Sequence, residues 1–429
     1  MPTFSFTYNS DYDPLDTVTL SQDGSLISSG TNNLHAFGPL GGGWFIFNNS
    51  SNLSQGGMFF SDANRDESGN PGYDITGTEY SVSADMSDNT ASVYLEGGDF
   101  GDILRAGFGA DTLKGGSGND VLEGGADADT IEGGLGNDTA SYEHAGGGVY
   151  VRLDSMLGYG GEAQDDELFG IENLAGSAFD DSLIGDDNNN TLRGNGGLDD
   201  IAGRDGDDRI VVSSTPGSIG GDGGKDVLIV MGGGTVSLSF MNFDGIEAIY
   251  VRNDTHLHMT NVLAGSKIVS QSTSGHAAEI VGTSGHDTIK GGKGGDTIDG
   301  GIGDDTIRAG QGGDTIDGGI GSDRLFAGTG GATIDGGIGS DKLFAGTGAD
   351  SFRFEAGFGR DNIYGLDLNA DHIFIDVAGV GDIVLRSLNN GRHTLVTFDG
   401  MEGGNKIILR DMNVDDVRNV QNELFLFGV

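Results

Sequence analysis

Aspartates that recur every nine residues are the side chains of this sequence best suited to chemistry. From residue 282 to residue 353 the chain divides without a break into eight units of nine residues. The eighth position of a unit is apolar, as in Ile289, and the second and fourth positions are almost all glycine, as in Gly292 and Gly294. The sixth positions are Asp287, Asp296, Asp305, Asp314, Asp323, Ala332, Asp341 and Asp350.

The same unit recurs in two other parts of the chain. An array that begins near Gly97 has its sixth positions at Asp102, Asp111, Asp120, Asp129 and Asp138. A more divergent stretch, 176–229, keeps the nine-residue register. Its sixth positions are Asp181, Asn190, Asp199, Asp208, Gly217 and Asp226. Repeats of this kind predict a solenoid in which each unit packs on its neighbours.

Two successive units would form one coil of such a solenoid. Glycines at fixed offsets allow positive φ and close backbone approach, so the first six residues of a unit are predicted to form a turn with inward-pointing carbonyls. The last three residues would form a short strand that points its single apolar side chain inside. Aspartates two units apart, such as Asp287 and Asp305, would then stack about 4.8 Å apart.

A stack of carboxylates at that spacing requires a counter-charge, because like charges repel strongly in a dry site. A hard divalent cation suits carboxylates and turn carbonyls, and calcium is the best candidate. Magnesium prefers a tighter octahedral site and keeps its waters. Zinc favours histidine or cysteine, whereas the chain has no cysteine and its eight histidines form no ligand-spaced set.

The composition of the chain agrees with columns of stacked carboxylates and argues against several other classes of protein. Glycine occurs 82 times in 429 residues, and 66 acidic against 22 basic residues give a formal net charge of −44. Such a chain offers no basic face to a nucleic acid or to an anionic membrane surface. It has no apolar run long enough for a membrane span, and residues 1–16 lack the features of a secretory signal peptide. Disorder is the competing interpretation, and we assign it to the cation-free chain.

The nine-residue unit resembles the nonapeptide G-G-x-G-x-D-x-U-x of the repeats-in-toxin (RTX) family. Residues 291–299 (GGKGGDTID) and 115–123 (GGSGNDVLE) match it position by position. The resemblance implies an all-β fold, a right-handed parallel β-roll with Ca²⁺ bound between successive turns. A phosphate-binding loop is the other interpretation of a single unit, but no G-K-[ST] follows and the glycine pattern recurs too often.

The repeats and the segments around them predict five regions. The segment 141–175 resembles one in RTX proteins where a pair of strands leads back into repeats, and 230–281 resembles spacers between RTX blocks. The end of the chain resembles the C-terminal region of RTX proteins exported by type I secretion, with an acidic stretch before a short apolar end. The regions are a small N-terminal β-domain (1–96), a first RTX β-roll (97–229) with a β insertion (141–175), a β-spacer (230–281), a second RTX β-roll (282–353), and a C-terminal cap with the secretion signal (354–429).

Complete aspartate pairs two units apart predict about nine calcium ions, each held by oxygen ligands from two coils. Ala332 is expected to weaken the two sites that flank it, and Asn190 is expected to weaken its own. The predicted metal ligands are Asp102, Asp111, Asp120, Asp129, Asp138, Asp181, Asp199, Asp208, Asp226, Asp287, Asp296, Asp305, Asp314, Asp323, Asp341 and Asp350.

No recognised catalytic motif accompanies the repeats. The chain contains neither H-E-x-x-H nor G-x-S-x-G, and 96 residues before the repeats are few for a full hydrolase domain. We therefore predict a secreted, non-enzymatic structural or adhesive protein, at the surface of a Gram-negative bacterium or in its matrix, such as a surface layer. Its expected partners are calcium ions, further copies of the chain in a surface assembly, and the type I secretion machinery. The alternative is an RTX-exported enzyme or toxin with a small N-terminal effector domain.

Overall fold

The structure is a computed structural model of the 429-residue chain. It describes residues 84–87, 92–239, 243–377, 381–399 and 404–427, together with the backbone of the strands that precede them. Those strands are Thr3–Ser10, Asp13–Ser21, Leu26–Ser28, Leu34–Phe37, Trp44–Phe47, Phe59–Arg65, Pro71–Asp74 and Val82–Asp85. The other residues of 1–81 lie outside the described residues, so the predicted N-terminal β-domain is represented by its strands alone.

Short strands follow the glycine turns and stack in parallel from coil to coil. The chain forms two compact units, Met1–Val211 with Gly217–Lys225 and Val212–Pro216 with Asp226–Val429. Strand partners within the repeat blocks come from alternate repeats, as in Thr112 with Thr130. Two nine-residue units therefore make one coil of a parallel β-solenoid, which confirms the predicted all-β fold.

In the first unit the strands form two stacks that alternate along the chain. One stack contains Ile103–Arg105, Val121–Glu123, Thr139–Ser141, Asn173–Ala175 and Thr191–Asn195. The other contains Tyr94–Glu96, Thr112–Gly118, Thr130–Gly136 and Glu167–Phe169, and then Ser182–Ile184, Asp200–Ala202 and Ser218–Gly220. The strand Arg209–Val212 follows the first stack in sequence.

The insertion 141–175 joins these coils through a hairpin. Tyr150–Arg152 pairs antiparallel with Leu157–Tyr159, and a 3₁₀ turn at Gly161–Ala163 follows. Tyr150–Arg152 also pairs in parallel with Ser182–Ile184. The insertion therefore lengthens one coil while the strands on either side of it keep their parallel stacking.

In the second unit the two stacks run through the segment 230–281 and past the last repeat. One stack contains Val227–Val230, Ala248–Val251, Lys267–Ser270, Thr288–Lys290, Thr306–Arg308, Arg324–Phe326, Lys342–Phe344 and Arg360–Tyr364. The other contains Thr235–Ser239, His256–Asn261, Glu279–Val281, Thr297–Asp299, Thr315–Asp317, Thr333–Asp335, Ser351–Glu355 and His372–Asp376. Shorter strands lie at Phe243–Asp244, Ile320–Gly321 and Ile338–Gly339.

Coil length varies in this unit while the strand register persists. Ile249 pairs with Ile268 and Ile268 with Ile289, so each of these coils is longer than two repeats and the two differ in length. The segment for which the sequence predicts a spacer thus consists of coils with longer turns. Its departure from the nine-residue period comes from the turns and leaves the strands aligned.

The C-terminal elements add to the end of both stacks. Lys406–Leu409 pairs in parallel with Arg360–Tyr364 and antiparallel with His393–Phe398, which in turn pairs with Ile383–Leu388. The helix Val414–Leu424 and the strand Phe425–Phe427 are the last described elements, and Phe425–Phe427 pairs with His372–Asp376. No helix among the described residues is long and apolar enough to cross a membrane.

The interior of each coil is filled by the eighth-position residues. Leu122 and Ile307 are 0% exposed. The neighbours of Ile307 in its strand, Thr306 and Arg308, are less buried than Ile307. Glycine permits the close stacking of the turns: Gly134 has φ of 111°, and a Cβ there would meet the backbone of Gly116 in the preceding coil. The repeat therefore encodes a narrow core, with one inward side chain from each unit.

Replacing Ile307 with alanine is expected to lower the free energy of unfolding of the calcium-loaded chain by about 2–5 kcal/mol, because it empties a fully buried position. Ile302 lies in the same unit but is 51% exposed. Ile302→Ala is the matched control and should change stability by no more than about 0.5 kcal/mol. Urea unfolding at fixed calcium, followed by circular dichroism, measures both; equal losses would contradict the inward placement of position eight.

Candidate metal centres

The sixth-position aspartates stand immediately before the strands, where the turn enters the solenoid wall. All sixteen predicted ligands are buried, and none is more than 4% exposed. Carboxylates are almost never buried to this degree unless they are paired or hold a metal ion. The fold therefore gathers every predicted ligand into the wall between successive coils.

In most repeat units one oxygen of the aspartate is occupied by the backbone of the preceding coil. The N–H of Asp102 donates to Oδ1 of Asp120 at 2.7 Å, and the N–H of Asp305 donates to Oδ1 of Asp323 at 2.7 Å. The same bond joins Asp111 to Asp129. These bonds fix the direction of each side chain, and they leave the second oxygen for another partner.

That second oxygen, Oδ2, lies buried without a hydrogen-bond partner at seven of the predicted ligands. A buried polar atom left in this way costs free energy, and a carboxylate oxygen costs more than a neutral group. The regular recurrence of the atom indicates a site that an added group completes. The seven residues are Asp120, Asp129, Asp138, Asp305, Asp314, Asp323 and Asp341.

At six of these seven aspartates the first position of the unit is a glycine that makes room for this oxygen, and before Asp314 it is Ala309. A Cβ on Gly300 would lie 2.6 Å from Oδ2 of Asp305 and 2.6 Å from the carbonyl oxygen of Gly318 in the next coil. Carboxylate and carbonyl oxygens therefore converge beside Gly300. This all-oxygen set is the kind that Ca²⁺ binds.

The number of acidic side chains that meet between two coils indicates which other groups must bind a cation there. Among the described residues no three histidine, cysteine, aspartate or glutamate side chains meet as a metal-binding group. A cation between two coils would therefore draw on backbone carbonyls as well as on carboxylates. Calcium accepts this mixture in its six to eight ligands, while magnesium and zinc are more restrictive.

Burial raises the pKa values of several of these carboxyl groups in the absence of a cation. Desolvation raises the pKa of Asp129 to about 9, to which the nearby charges of Asp166 and Asp111 add. Desolvation likewise raises the pKa of Asp323 to about 8 and that of Asp305 to about 6. The folded, cation-free chain therefore resists holding these groups in their charged form.

Side-chain hydroxyls satisfy the first aspartate of several columns. Oδ2 of Asp181 accepts from the N–H of Ser177 at 2.6 Å, and its Oδ1 accepts from the hydroxyl of the same serine at 2.8 Å. Asp287 is bonded in the same manner by Thr283, and Oδ2 of Asp296 accepts from the hydroxyl of Ser272. Neutral donors thus contact the carboxylates at the positions where a block begins, and calcium binding by Asp181, Asp287 and Asp296 stays a prediction.

The structure adds acidic residues to the columns that the nine-residue register does not predict. Each accepts a hydrogen bond from the N–H of a sixth-position aspartate, as Asp361 does from Asp341 at 2.8 Å and Asp371 does from Asp350 at 2.8 Å. None of them stands two repeats from its partner along the chain. These additional residues are Asp166, Glu172, Glu247, Asp361 and Asp371.

A shorter sequence signal would have identified them. An acidic residue stands two positions before a buried apolar residue in each case, as in Asp166 before Leu168 and Asp361 before Ile363. The acidic-x-apolar triplet marks the entry to a strand whatever the length of the preceding turn. It survives at positions where the glycine pattern is lost.

The two predicted gaps have different structures. Nδ2 of Asn190 donates to the carbonyl oxygen of Glu172 at 2.8 Å, so an amide supplies the donor at that coil. Ala332 is buried and its N–H donates to Oδ1 of Asp350 at 2.9 Å, but its methyl side chain offers no oxygen atom to a cation. Asp208 and Asp226 lie in different compact units, and their pairing stays a prediction.

Comparisons with known proteins give one family match. A family model described as RTX calcium-binding nonapeptide repeat (4 copies) matches residues 96–131, 105–140, 175–210, 281–316 and 317–352. No curated protein matches the chain. A similar solved structure is the crystal structure of the extracellular lipase LipA from Serratia marcescens, at 16% sequence identity and a TM-score of 0.26. The match covers 70% of this chain and 45% of the lipase, so the chain spans less than half the length of that protein.

Replacing Ala332 with aspartate is expected to add about one bound calcium ion, because it restores a carboxylate between Asp314 and Asp350 in a column built for one. Thr329 is an exposed residue of the same unit. Thr329→Asp adds the same charge outside the column and should leave the number of bound ions unchanged. Equilibrium dialysis at saturating calcium gives both numbers, and equal gains would contradict the column geometry.

The raised pKa values predict the pH dependence of the calcium-free chain. Their folded values, about 6 for Asp305 to about 9 for Asp129, exceed the unfolded value of roughly 3.9. Protonation therefore favours the fold at low pH, and stability is lost as pH rises through this window. In chelator we expect more β-structure by circular dichroism at pH 5 than at pH 8. A calcium-saturated control should stay folded at pH 8, and a chelated chain equally ordered at both pH values would contradict the assignment.

Proposed function

We propose that this chain, which carries several copies of the RTX calcium-binding nonapeptide repeat, is a structural or adhesive protein of the cell surface or extracellular matrix. Calcium controls its folding in this proposal. The observation that carries the proposal is the row of buried, unpartnered Oδ2 atoms between successive coils. A divalent cation at each of these atoms would stabilise the folded solenoid, whereas an unpaired buried charge would destabilise it.

Folding would follow the calcium concentration of the compartment. Calcium supplies positive charge between the coils when bound. In its absence the carboxylates of adjacent coils, such as Asp305 and Asp323, repel each other in a desolvated wall, and the net charge of −44 keeps the chain open. In millimolar calcium the same residues bind the ion only in the folded state, so binding stabilises the solenoid.

The C-terminal residues support export of an unfolded chain by the type I secretion machinery. The helix Val414–Leu424, with Asp415 and Asp416 in its first turn, precedes the apolar strand Phe425–Phe427. In the folded state this strand is paired with His372–Asp376 and Phe425 is buried. A secretion signal in this region would therefore be accessible before folding, in calcium-poor cytoplasm, and paired after it.

An exposed apolar row supports self-association as the structural role. Ile302, Ile320 and Ile338 occupy the same position of successive coils and are 51%, 51% and 57% exposed. Ile320 forms parallel bridges with both of the others, so the row runs along the solenoid. Contiguous exposed apolar surface of this kind is typical of protein contacts. The proposal assigns no catalytic role to the chain.

Calcium titration of the full chain tests both parts of the proposal. In EDTA or with magnesium alone we expect the circular dichroism of a largely unfolded chain, and in millimolar calcium a β-rich spectrum with assembly by sedimentation velocity. Ile302→Ser, Ile320→Ser and Ile338→Ser together should abolish assembly and keep the calcium-induced fold. The control is the exposed threonine row, with Thr297, Thr315 and Thr333 replaced by serine.

Two outcomes would overturn the proposal in different places. The same β-rich spectrum in EDTA as in calcium would contradict the proposal that calcium controls folding. A chain that stays monomeric in calcium would contradict the proposed structural role. Hydrolytic or toxic activity of the secreted chain would favour the enzyme or toxin alternative.

A further inference from the structure

The insertion 141–175 contains a turn that is too short for the repeat. Between the strands Glu167–Phe169 and Asn173–Ala175 only three residues intervene, Gly170, Ile171 and Glu172, where a full unit has six. Asn173 nevertheless pairs in register with Thr139. Glu172 therefore holds the place before its strand that Asp138 holds before Thr139.

Glu172 makes the hydrogen bond of a column member. Its Oε2 accepts from the N–H of Asp138 at 2.8 Å, just as Oδ1 of Asp138 accepts from the N–H of Asp120 at 2.8 Å. Glutamate is one methylene longer than aspartate. The longer side chain reaches the same backbone donor from a turn that lacks three residues.

The coil that faces Glu172 carries an incomplete oxygen site. Asp138 is 0% exposed, and its Oδ2 has no hydrogen-bond partner. A Cβ on Gly133 would lie 2.7 Å from this Oδ2 and would meet the carbonyl oxygen of Gly170 in the insertion. The same arrangement surrounds Oδ2 of Asp305, where the carbonyl comes from a repeat glycine.

Side-chain donors do not neutralise this pair in the described part of the chain. Neither Asp138 nor Glu172 has an ion pair with any described lysine, arginine or histidine. The other edge of the insertion differs, because Oδ2 of Asp166 accepts from the hydroxyl of the buried Tyr142 at 2.9 Å. In the following coil the amide of Asn190 donates to the carbonyl of Glu172. The run of carboxylates that begins at Asp102 thus ends at Glu172, beside the unpartnered Oδ2 of Asp138.

We infer that the insertion completes a calcium site between Asp138 and Glu172, outside the nonapeptide repeats. This site rests on the calcium binding proposed above. Asp138 Oδ2, the carboxylate of Glu172 and the carbonyl of Gly170 are its ligands from this chain, and the partial exposure of Glu172 gives the ion a route from solvent. The insertion is then a calcium-held part of the first solenoid.

The test is the number of calcium ions bound by the full chain at saturation, measured by equilibrium dialysis. Glu172→Gln should bind one ion fewer than the wild-type chain. Glu167→Gln removes the same charge from an exposed position of the insertion and should bind as many ions as the wild type. An unchanged number for Glu172→Gln would overturn the site.

Crystals of the wild-type chain grown in calcium provide a second test that does not depend on a variant folding. An anomalous-scattering peak bonded to Asp138 Oδ2 and the Gly170 carbonyl supports the site. Its absence, with peaks present at Asp120 and Asp305, would overturn this site and leave the proposed function intact. A wild-type chain that binds no calcium would overturn the proposed function itself.

Discussion

Repulsion between buried carboxylates stacked one coil apart is the constraint on which the rest of this structure depends. Oδ1 of most repeat aspartates bonds to the backbone of the preceding coil, as between Asp305 and Asp323, so these side chains cannot turn away from one another. Desolvation then raises their pKa values and makes the charged form costly. A cation between the coils removes this cost, and the glycine turns bring carbonyl oxygens to the same place. Glycine content and negative charge are therefore two parts of one arrangement.

The chain satisfies the same constraint without a cation at several positions. Hydroxyl and backbone donors from Thr283 complete Asp287, and the hydroxyl of Tyr142 completes Asp166. Asn190 replaces a carboxylate by an amide that carries its own donor. Each substitution stands at a block boundary or beside the insertion, where the regular succession of carboxylates is interrupted. The distribution of neutral donors therefore marks where a column of ions starts and stops.

The fold and much of the site could be predicted from the sequence because one short period specifies them together. Nine-residue spacing fixes the coil length, the inward residue such as Ile307 and the buried aspartates at once. Asp166, Glu172, Asp361 and Asp371 escaped the same reasoning because longer or shorter turns shift them out of register, although their strands remain aligned. Turn length has little effect on strand stacking. A search for acidic residues at nine-residue spacing therefore misses those that follow a longer or shorter turn, although their strands stay paired in register.

Coils that lack carboxylates obtain their stability from a wider core. In the segment 230–281 the residues that precede the strands include Thr255, Ser266 and Ala278, none of which needs a counter-ion. The strand His256–Asn261, which follows Thr255, buries Leu257 and Met259, whereas Thr288–Lys290 buries only Ile289. At about 25 cal/mol per Å² of apolar surface, one additional buried side chain in a strand contributes roughly 1.5–3 kcal/mol. Hydrophobic burial thus adds stability in coils of this segment that have no carboxylate before the strand.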